Sequence, residues 1–249
     1  MAESSCPSSG CTNRESLQRY VTLPVDIAIK RVHQEQAEVA AEKAAFEEFS
    51  ARLSDFATVS NTNLSKLDRR ITGESTHTRQ VRKLYHDTVM STDHYDSEYG
   101  DPCIESIRAE FGADVAAVLD SKDPVPFTNL VKQRVLEAAN RCANVRSDLL
   151  KHVKAESDSL SQAHSEITDI LNRLDTSQLP LHHESPLMSQ LEGIAAVRQN
   201  NLRQHSVPGS IDEISFCELL YSEERWTFPV LVAVGRFREV TVKGCVEAP

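Results

Sequence analysis

The side chains best suited to chemistry lie in one short stretch, from Tyr85 to Asp101. It contains two imidazoles, five carboxylates and three phenols: Tyr85, His86, Asp87, Asp93, His94, Tyr95, Asp96, Glu98, Tyr99 and Asp101. Imidazole suits Zn, Ni or Fe and carboxylates suit harder ions, so His86, His94 and Asp96 are candidate metal ligands. The spacing gives this interpretation little support, because the stretch has no His-x3-His or Glu-x2-His pair on one helix face.

A second interpretation makes the stretch a tight polar connection between two helices. Asp93 or Asp96 would then cap the following helix, while Tyr95 and Tyr99 would pack beneath it with their hydroxyl groups in water. The sequence favours this connection over a third interpretation, a docking surface for a partner protein. That surface would consist of His94, Tyr95, Asp96, Glu98 and Tyr99.

Elsewhere the sequence offers little that resembles a catalytic site. The chain contains no Gly-rich phosphate loop, G-x-S-x-G elbow or Walker motif. The six cysteines are scattered, and without an export signal they are expected to be thiols. Cys6 and Cys11 lack a second pair at zinc-ligand spacing, and Cys103 and Cys142 lie on apolar faces, where they behave as small hydrophobes. We therefore expect no enzyme and no cofactor.

Composition narrows the class of partner. The net charge is −10 over 249 residues, which disfavours nucleic acid because such binding needs clustered Lys and Arg. The longest apolar run, Phe228–Val234, is too short to span a bilayer, and no early stretch resembles a signal peptide. These features predict a cytoplasmic protein that binds neither nucleic acid nor membranes.

Two long apolar patterns determine the expected architecture. The first predicts a helix over 24–72 with Pro24 in its first turn, preceded by a disordered tail over 1–23. The second predicts a helix over 126–175. The first pattern consists of Ile29, Val32, Val39, Phe46, Leu53, Ala57, Leu64, Leu67 and Ile71, and the second of Val135, Ala138, Cys142, Val145, Leu149, Leu160, Ala163, Ile167, Ile170 and Leu174.

The matched lengths of these helices predict an all-α fold built on a long antiparallel coiled-coil helical hairpin. Residues 73–125 would form a small helical head at its tip, 176–186 a linker, and 187–249 a C-terminal helical bundle at its base. Lys43 and Glu156 are polar positions in the two apolar seams. They either face each other or extend to water, and we favour extension to water. The seam of the first helix contains four polar positions, Gln36, Lys43, Ser50 and Ser60, and a second chain could complete it, so a homodimer is an open alternative.

Several stretches resemble an uncharacterised family of helical coiled-coil proteins from halophilic archaea. They are AAFEEFSARL (44–53), VRKLYHDTVMSTDHYDSEYGDP (81–102), AEFGADVAAVL (109–119) and FCELLYSEERWTFPVLVAVGRF (216–237), with TVM-x3-HYD-x-EYG the most specific string. The resemblance runs in order from about residue 25 to 246 and implies an archaeal origin, a cytoplasmic setting and a wholly helical fold. The family has no assigned function, so it assigns no role to any residue.

The last segment, Trp226–Val246, is open to two interpretations. Its β-branched residues favour a β-hairpin around Gly235, whereas Pro229 could begin a helix. The helical context and the resemblance lead us to predict the helix, although REVTVKGCVEAP at the end departs from the family's text.

The functional prediction is a non-catalytic structural or protein-interaction protein, a scaffold or adaptor, with protein partners of unknown identity. The alternative is a ligand- or metal-responsive sensor that uses the head segment around His94. A DNA-binding regulator is disfavoured by the negative charge.

Overall fold

A computed structural model describes residues 9–58, 76–121, 126–174, 186–204 and 213–243. The regular secondary structure in these ranges is entirely helical, which confirms the predicted all-α class. In chain order the helices are α1 (Ser9–Ser54), α2 (Thr76–Thr88), α3 (Tyr95–Glu98), α4 (Cys103–Phe111), α5 (Ala113–Asp120), α6 (Asn129–Arg173), α7 (Pro186–Gln204), α8 (Glu213–Leu220) and α9 (Pro229–Lys243). A single 3-10 turn, Val89–Ser91, follows α2.

The chain divides into two compact units. The terminal unit comprises Met1–Gln34 and Val153–Pro249, and the central unit comprises Glu35–His152. The segment that sequence analysis assigns to a head, 73–125, lies within the central unit together with the second part of α1 and the first part of α6.

The start of α1 differs from the sequence prediction. The helix begins at Ser9 with Pro24 in its interior, so a disordered tail over 1–23 and a helix start at Pro24 are wrong for residues 9–23. Residues 1–8 lie outside the described residues. The reason is that Leu17, Val21 and Val25 are buried along one face, and this burial offsets the hydrogen bond that a proline cannot donate.

In the terminal unit, α1 and α6 run antiparallel. The Arg14 guanidinium donates to the Leu171 carbonyl at 3.4 Å, while Asp26, further along α1, lies 2.9 Å from His164, earlier on α6. Helix α7 packs against both α8 and α9. The buried apolar side chains of this unit include Val32, Leu160, Ile167, Ile170, Leu191, Phe216, Val230 and Phe237.

The same antiparallel order holds in the central unit. Glu42 on α1 binds Arg146 on α6 at 2.9 Å, and the Lys132 ammonium, earlier on α6, donates to the carbonyl of Ser54 at the end of α1. The second part of α1, the first part of α6, and α2, α4 and α5 enclose one core. Its largest side chains are Phe46, Phe49, Leu53, Tyr85, Ile107, Phe111, Leu119 and Phe127.

Helix α1 ends earlier than expected. It stops at Ser54, and residues 55–58 are not helical, so the predicted continuation is wrong at that point; the rest of it, 59–72, lies outside the described residues. Lys132 accounts for the local termination, because its ammonium binds the carbonyl oxygens of Ser54 at 2.6 Å and Phe56 at 2.8 Å. A side chain thus satisfies acceptors that a continuing helix would have used.

Two other predictions have clear outcomes. The last segment is the helix α9 from Pro229, which confirms the helical interpretation over the β-hairpin for residues up to 243.

Glu156 does not extend to water: its side chain is fully buried and pairs with Arg198 of α7. The predicted extension of the Glu156 side chain to water is therefore wrong, because Arg198 of α7, which is not part of either seam, neutralises its charge. Lys43 pairs with Glu47 one turn along α1.

Candidate functional site

Arg146 is the centre of a polar network in the central unit. Its Nε atom donates to Glu42 of α1 at 2.9 Å, and its two terminal nitrogens donate to both carboxylate oxygens of Glu110 of α4 at 2.9 and 2.6 Å. Its Cζ atom lies 5.0 Å from the centre of the Phe46 ring, close enough for a cation–π contact. One guanidinium therefore joins three helices, through the two-pronged geometry that arginine gives with carboxylates.

The stretch singled out by sequence analysis is attached to this network through Glu42. His94 Nε2 lies 3.1 Å from Glu42 Oε1, and the Tyr99 hydroxyl donates to the same oxygen at 2.9 Å. Burial alone would raise the pKa of Glu42, but the hydrogen bond and charge of Arg146, with the bonds from His94 and Tyr99, leave it below its ordinary value of 4.5. Glu42 is thus held as a carboxylate that accepts hydrogen bonds from Arg146 of α6 and from the two residues that flank α3, His94 and Tyr99.

A small cavity of about 90 Å³ lies beside the network. The hydroxyl groups of Tyr85 and Ser106 share a hydrogen bond of 2.8 Å at its wall. The Tyr95 hydroxyl is also buried, and the Ser106 hydroxyl is near enough to lower its pKa. The lining residues are Glu42, Phe46, Tyr85, Val89, Thr92, Tyr95, Tyr99, Asp101, Ser106, Ala109, Glu110 and Arg146.

The phenols and the thiol near the cavity stay protonated at neutral pH. Burial raises the pKa of Tyr85 and of Tyr99, and the Glu42 carboxylate raises that of Tyr99 further. Burial also raises the pKa of Tyr95 more than a hydrogen bond with Ser106 lowers it, and the Asp101 carboxylate adds to the rise. Burial and the nearby Glu110 carboxylate raise the pKa of Cys142 to about 12. These groups are therefore suited to hydrogen bonding and not to proton abstraction or nucleophilic attack.

The candidate metal ligands do not form a site in the part of the chain that the structure describes. His86 is exposed and lies 3.5 Å from Asp87, whereas the nearly buried His94 faces Glu42. No group of three or more His, Cys, Asp or Glu side chains among these residues is arranged to hold a metal ion. His86, His94 and Asp96 therefore do not converge.

The polar connection differs in detail from the prediction. The N-cap residue of α3 is His94 and that of α4 is Pro102, neither with a side-chain capping bond, so capping by Asp93 or Asp96 is wrong. The short α3 ends at Glu98, and Gly100, two residues further on, has a φ of +59°, which glycine adopts readily.

The candidate docking surface is divided by burial. His94 is only 11% exposed at its side chain, and Tyr95 is buried with its hydroxyl out of water, contrary to prediction. Asp96, Glu98 and Tyr99 are exposed.

The sequence offers no direct signal for Glu42, Glu110 and Arg146, because the pairing joins helices far apart in the chain.

A separate open groove of about 510 Å³ lies between α5 and α6 of the central unit. Leu130 on its edge is 70% exposed. Two acidic and two basic side chains line it together with apolar ones. The full lining is Phe111, Asp114, Val115, Val118, Leu130, Val131, Arg134, Val135, Glu137 and Arg141.

The terminal unit contains a second polar cluster, which is closed to solvent. Arg198 of α7 binds both oxygens of Glu156 of α6 at 2.7 Å, and the Tyr221 hydroxyl donates to Glu156 at 2.8 Å. Burial lowers the pKa of Arg198, but the Glu156 carboxylate outweighs it and leaves that pKa raised. Glu156, Arg198 and Tyr221 together join α6, α7 and the residues that follow α8.

Comparison with known proteins identifies the family of the chain. A family model described as "Domain of unknown function (DUF7260)" matches residues 23–243. The chain belongs to this family. The match runs from within α1 to the end of α9 and therefore includes both polar clusters and the groove. No curated protein and no solved structure matches the chain. In the described ranges, no helix has the length and apolarity needed to cross a membrane.

Proposed function

We propose that this protein is a non-catalytic interaction protein and that its partner is a second copy of the same chain, bound at the groove between α5 and α6. The observation that carries the proposal is the exposed face of α6 beside the groove. Leu130, Arg134, Glu137, Arg141 and Val145 follow one another at spacings of three or four residues, so they share one side of the helix.

Exposure along this face supports a contact surface. Leu130 and Val145, at its two ends, are 70% and 56% exposed, although large apolar side chains gain free energy when removed from water. Between them stand charged side chains that also have access to solvent: Arg134, Glu137 and Arg141. The face thus presents two exposed apolar side chains with charged side chains between them, and a partner that covers it would remove Leu130 and Val145 from water.

The charges around the groove favour a second copy over a strongly charged partner. Asp114 and Glu137 are balanced by Arg134 and Arg141, so the groove is neutral although the whole chain carries −10. In an isologous interface the same face of both chains meets across a twofold axis. Because Arg134, Glu137 and Arg141 alternate in sign along the face, an acidic side chain of one chain can pair with a basic side chain of the other. A basic partner would instead favour an acidic groove.

The non-catalytic part of the proposal rests on the polar groups of the central unit. The carboxylates of Glu42 and Glu110 are paired with Arg146, and the nearby phenols and thiol are protonated. In this proposal α1 and α6 form an antiparallel coiled-coil hairpin that serves as the scaffold. The antiparallel contacts found within each unit support that architecture.

Sedimentation velocity over a range of concentrations tests the proposal. The wild type should shift from monomer to dimer as concentration rises, and Leu130→Glu should remain monomeric because it places a charge in the apolar contact. Leu219→Glu is the matched control, since Leu219 is 66% exposed in the terminal unit. A wild type that stays monomeric, or equal dimerisation of Leu130→Glu and wild type, would refute the second copy as partner.

The second candidate function is a ligand- or metal-responsive sensor based on the segment around His94. The observation in its favour is that His94 and Tyr99 both bind the same oxygen of Glu42. A ligand that displaced either bond would change how this segment is attached to α1. Thermal melting with a panel of divalent metals and metabolites tests it: a specific stabilisation that His94→Ala abolishes supports the sensor, and a shift unchanged in that variant excludes it.

A cytoplasmic location and an origin in a halophilic archaeon remain predictions. Imaging of the tagged chain in its host would check the location. Cooperative folding in molar salt is the behaviour expected of a halophilic protein.

A further inference from the structure

Residues 94–99, which we call the strap, consist of α3 and the residue on either side of it. The strap contains its own backbone hydrogen bonds; the Glu98 amide, for example, donates to the His94 carbonyl at 3.0 Å. Non-helical backbone lies on both sides, because Thr92 is extended and Gly100 has a φ of +59°. The strap is therefore a short helical turn between two joints of the chain.

The side chains of the strap bind α1 at a single atom. His94 Nε2 lies 3.1 Å from Glu42 Oε1, and the Tyr99 hydroxyl donates to the same oxygen at 2.9 Å. The side chains of His94 and Glu42 are only 11% and 14% exposed, so water has little access to this contact. An ionised carboxylate accepts hydrogen bonds and donates none, and its charge makes those bonds stronger. Attachment of the strap to α1 thus depends on the charge of Glu42.

The charges around Glu42 make this contact sensitive to acid. Glu42 lies between His94 and the Arg146 guanidinium of α6, which donates to its second oxygen at 2.9 Å. Imidazoles are positively charged in acid, so protonation of Glu42 would leave two cations on either side of a neutral group, where they repel each other. The other ionisable side chains around the contact are Tyr85, Tyr95, Tyr99, Asp101 and Glu110.

The direction of the pH effect follows from Glu42. Burial raises the pKa of Glu42, but Arg146, His94 and Tyr99 outweigh it and leave the pKa below 4.5. Opening of the strap removes two of these three donors, so the pKa of Glu42 is higher in the open form than in the closed one. Protons therefore bind the open form better. The contact is fully present at pH above about 4.5 and is lost as the pH falls through the lowered value.

We propose that the strap is a conformational switch that the Glu42 carboxylate holds closed and that acid opens. Opening exposes Tyr95, which is now 5% exposed, and removes the parts of the cavity wall that Tyr95 and Tyr99 supply. Arg146 stays bound to both oxygens of Glu110, so α4 and α6 remain joined. The switch requires neither the dimer nor a bound ligand, because neither Glu42 nor the strap lines the groove.

Hydrogen–deuterium exchange of the full chain at about pH 6 and about pH 3.5 tests the switch, with each rate corrected for the intrinsic effect of pH. A helix of four residues is not stable alone, so an open strap loses its backbone bonds and exchanges. Protection of the strap amides should fall about tenfold or more at the lower pH, since loss of one hydrogen bond to a charged group has about this effect. Protection of α6 should remain.

Three variants identify the group that responds to acid. Glu42→Gln should exchange quickly in the strap at both pH values, because a neutral amide replaces the carboxylate. Glu48→Gln is the matched control, since Glu48 lies on the same helix and binds Arg52. Tyr99→Phe keeps the bond between Glu42 and Arg146 and should lower the protection of the strap at pH 6. This variant decides the outcome if Glu42→Gln does not fold.

The predicted result is a loss of protection in acid that the wild type and Glu48→Gln share and that Glu42→Gln lacks. Equal protection of the wild-type strap at the two pH values would overturn the switch. Loss of protection in α6 together with the strap would also overturn it, because the central unit would then be unfolding as a whole. Unchanged exchange of the strap in Tyr99→Phe would show that Glu42 does not hold it closed.

Discussion

At the scale of single residues, the ion pair of Glu156 and Arg198 in the terminal unit is notable for its burial. Both side chains are almost fully buried, at 0% and 3% exposure. Removal of one partner leaves an uncompensated charge away from water, which is more costly than removal of both.

Arg198→Met should therefore destabilise the protein by about 3–5 kcal/mol. The double variant with Glu156→Leu should recover much of this loss, although Tyr221 then lacks its acceptor. The free energy of unfolding in urea is the measurement. If the effects of the two single variants simply add in the double variant, the two residues do not act as a pair.

Glu42 gives a pH dependence with a definite sign. Because its pKa in the folded protein lies below 4.5, it contributes stability at pH above that ordinary value. This contribution is lost as the pH falls through the lowered folded value. Glu42→Gln should therefore lower the melting temperature at neutral pH and melt with a shallower dependence on pH below about 4.5. If the melting temperatures of the variant and the wild type fall with the same slope below about pH 4.5, this assignment is contradicted.

The sequence points to the stretch around His94 but not to its partners. The unusual composition from Tyr85 to Asp101 marks a segment that does contribute to the polar network through His94 and Tyr99. Glu42 and Arg146 resemble other charged residues on long helices, and only the antiparallel contact of those helices places them 2.9 Å apart. Pairing between distant helices is not encoded in local spacing.

At the scale of elements, Gly112 separates α4 from α5. Its φ of +93° lies in a region that L side chains rarely adopt, which gives the break between the two helices a backbone reason. The ends of α1 were harder to predict: Pro24 looks like a first-turn residue, whereas the buried apolar face that carries the helix past it depends on tertiary contacts.

Gly112→Ala should destabilise the protein by about 1–3 kcal/mol, because alanine is strained at that φ. Gly193→Ala is the control within helix α7, where an added Cβ meets no atom within 4 Å. It should stabilise the protein by about 0.5–1 kcal/mol. Thermal unfolding of both variants checks the pair, and a neutral effect of Gly112→Ala would contradict the backbone account.

At the scale of the whole molecule, composition and apolar periodicity predict the all-α class and the helical nature of the last segment. They do not predict the division of the chain into a terminal and a central unit, because each unit combines parts of both long helices. That division depends on which side chains meet across those helices. The groove is likewise a property of α5 and α6 together.

The most direct test of the central claim is hydrogen–deuterium exchange of the wild type at low and high protein concentration. Self-association through the groove predicts slower exchange at high concentration in α5 and in the part of α6 from Leu130 to Val145. Exchange in α9 of the terminal unit should stay the same. Exchange rates that do not depend on concentration, or slowing confined to the terminal unit, would contradict the account.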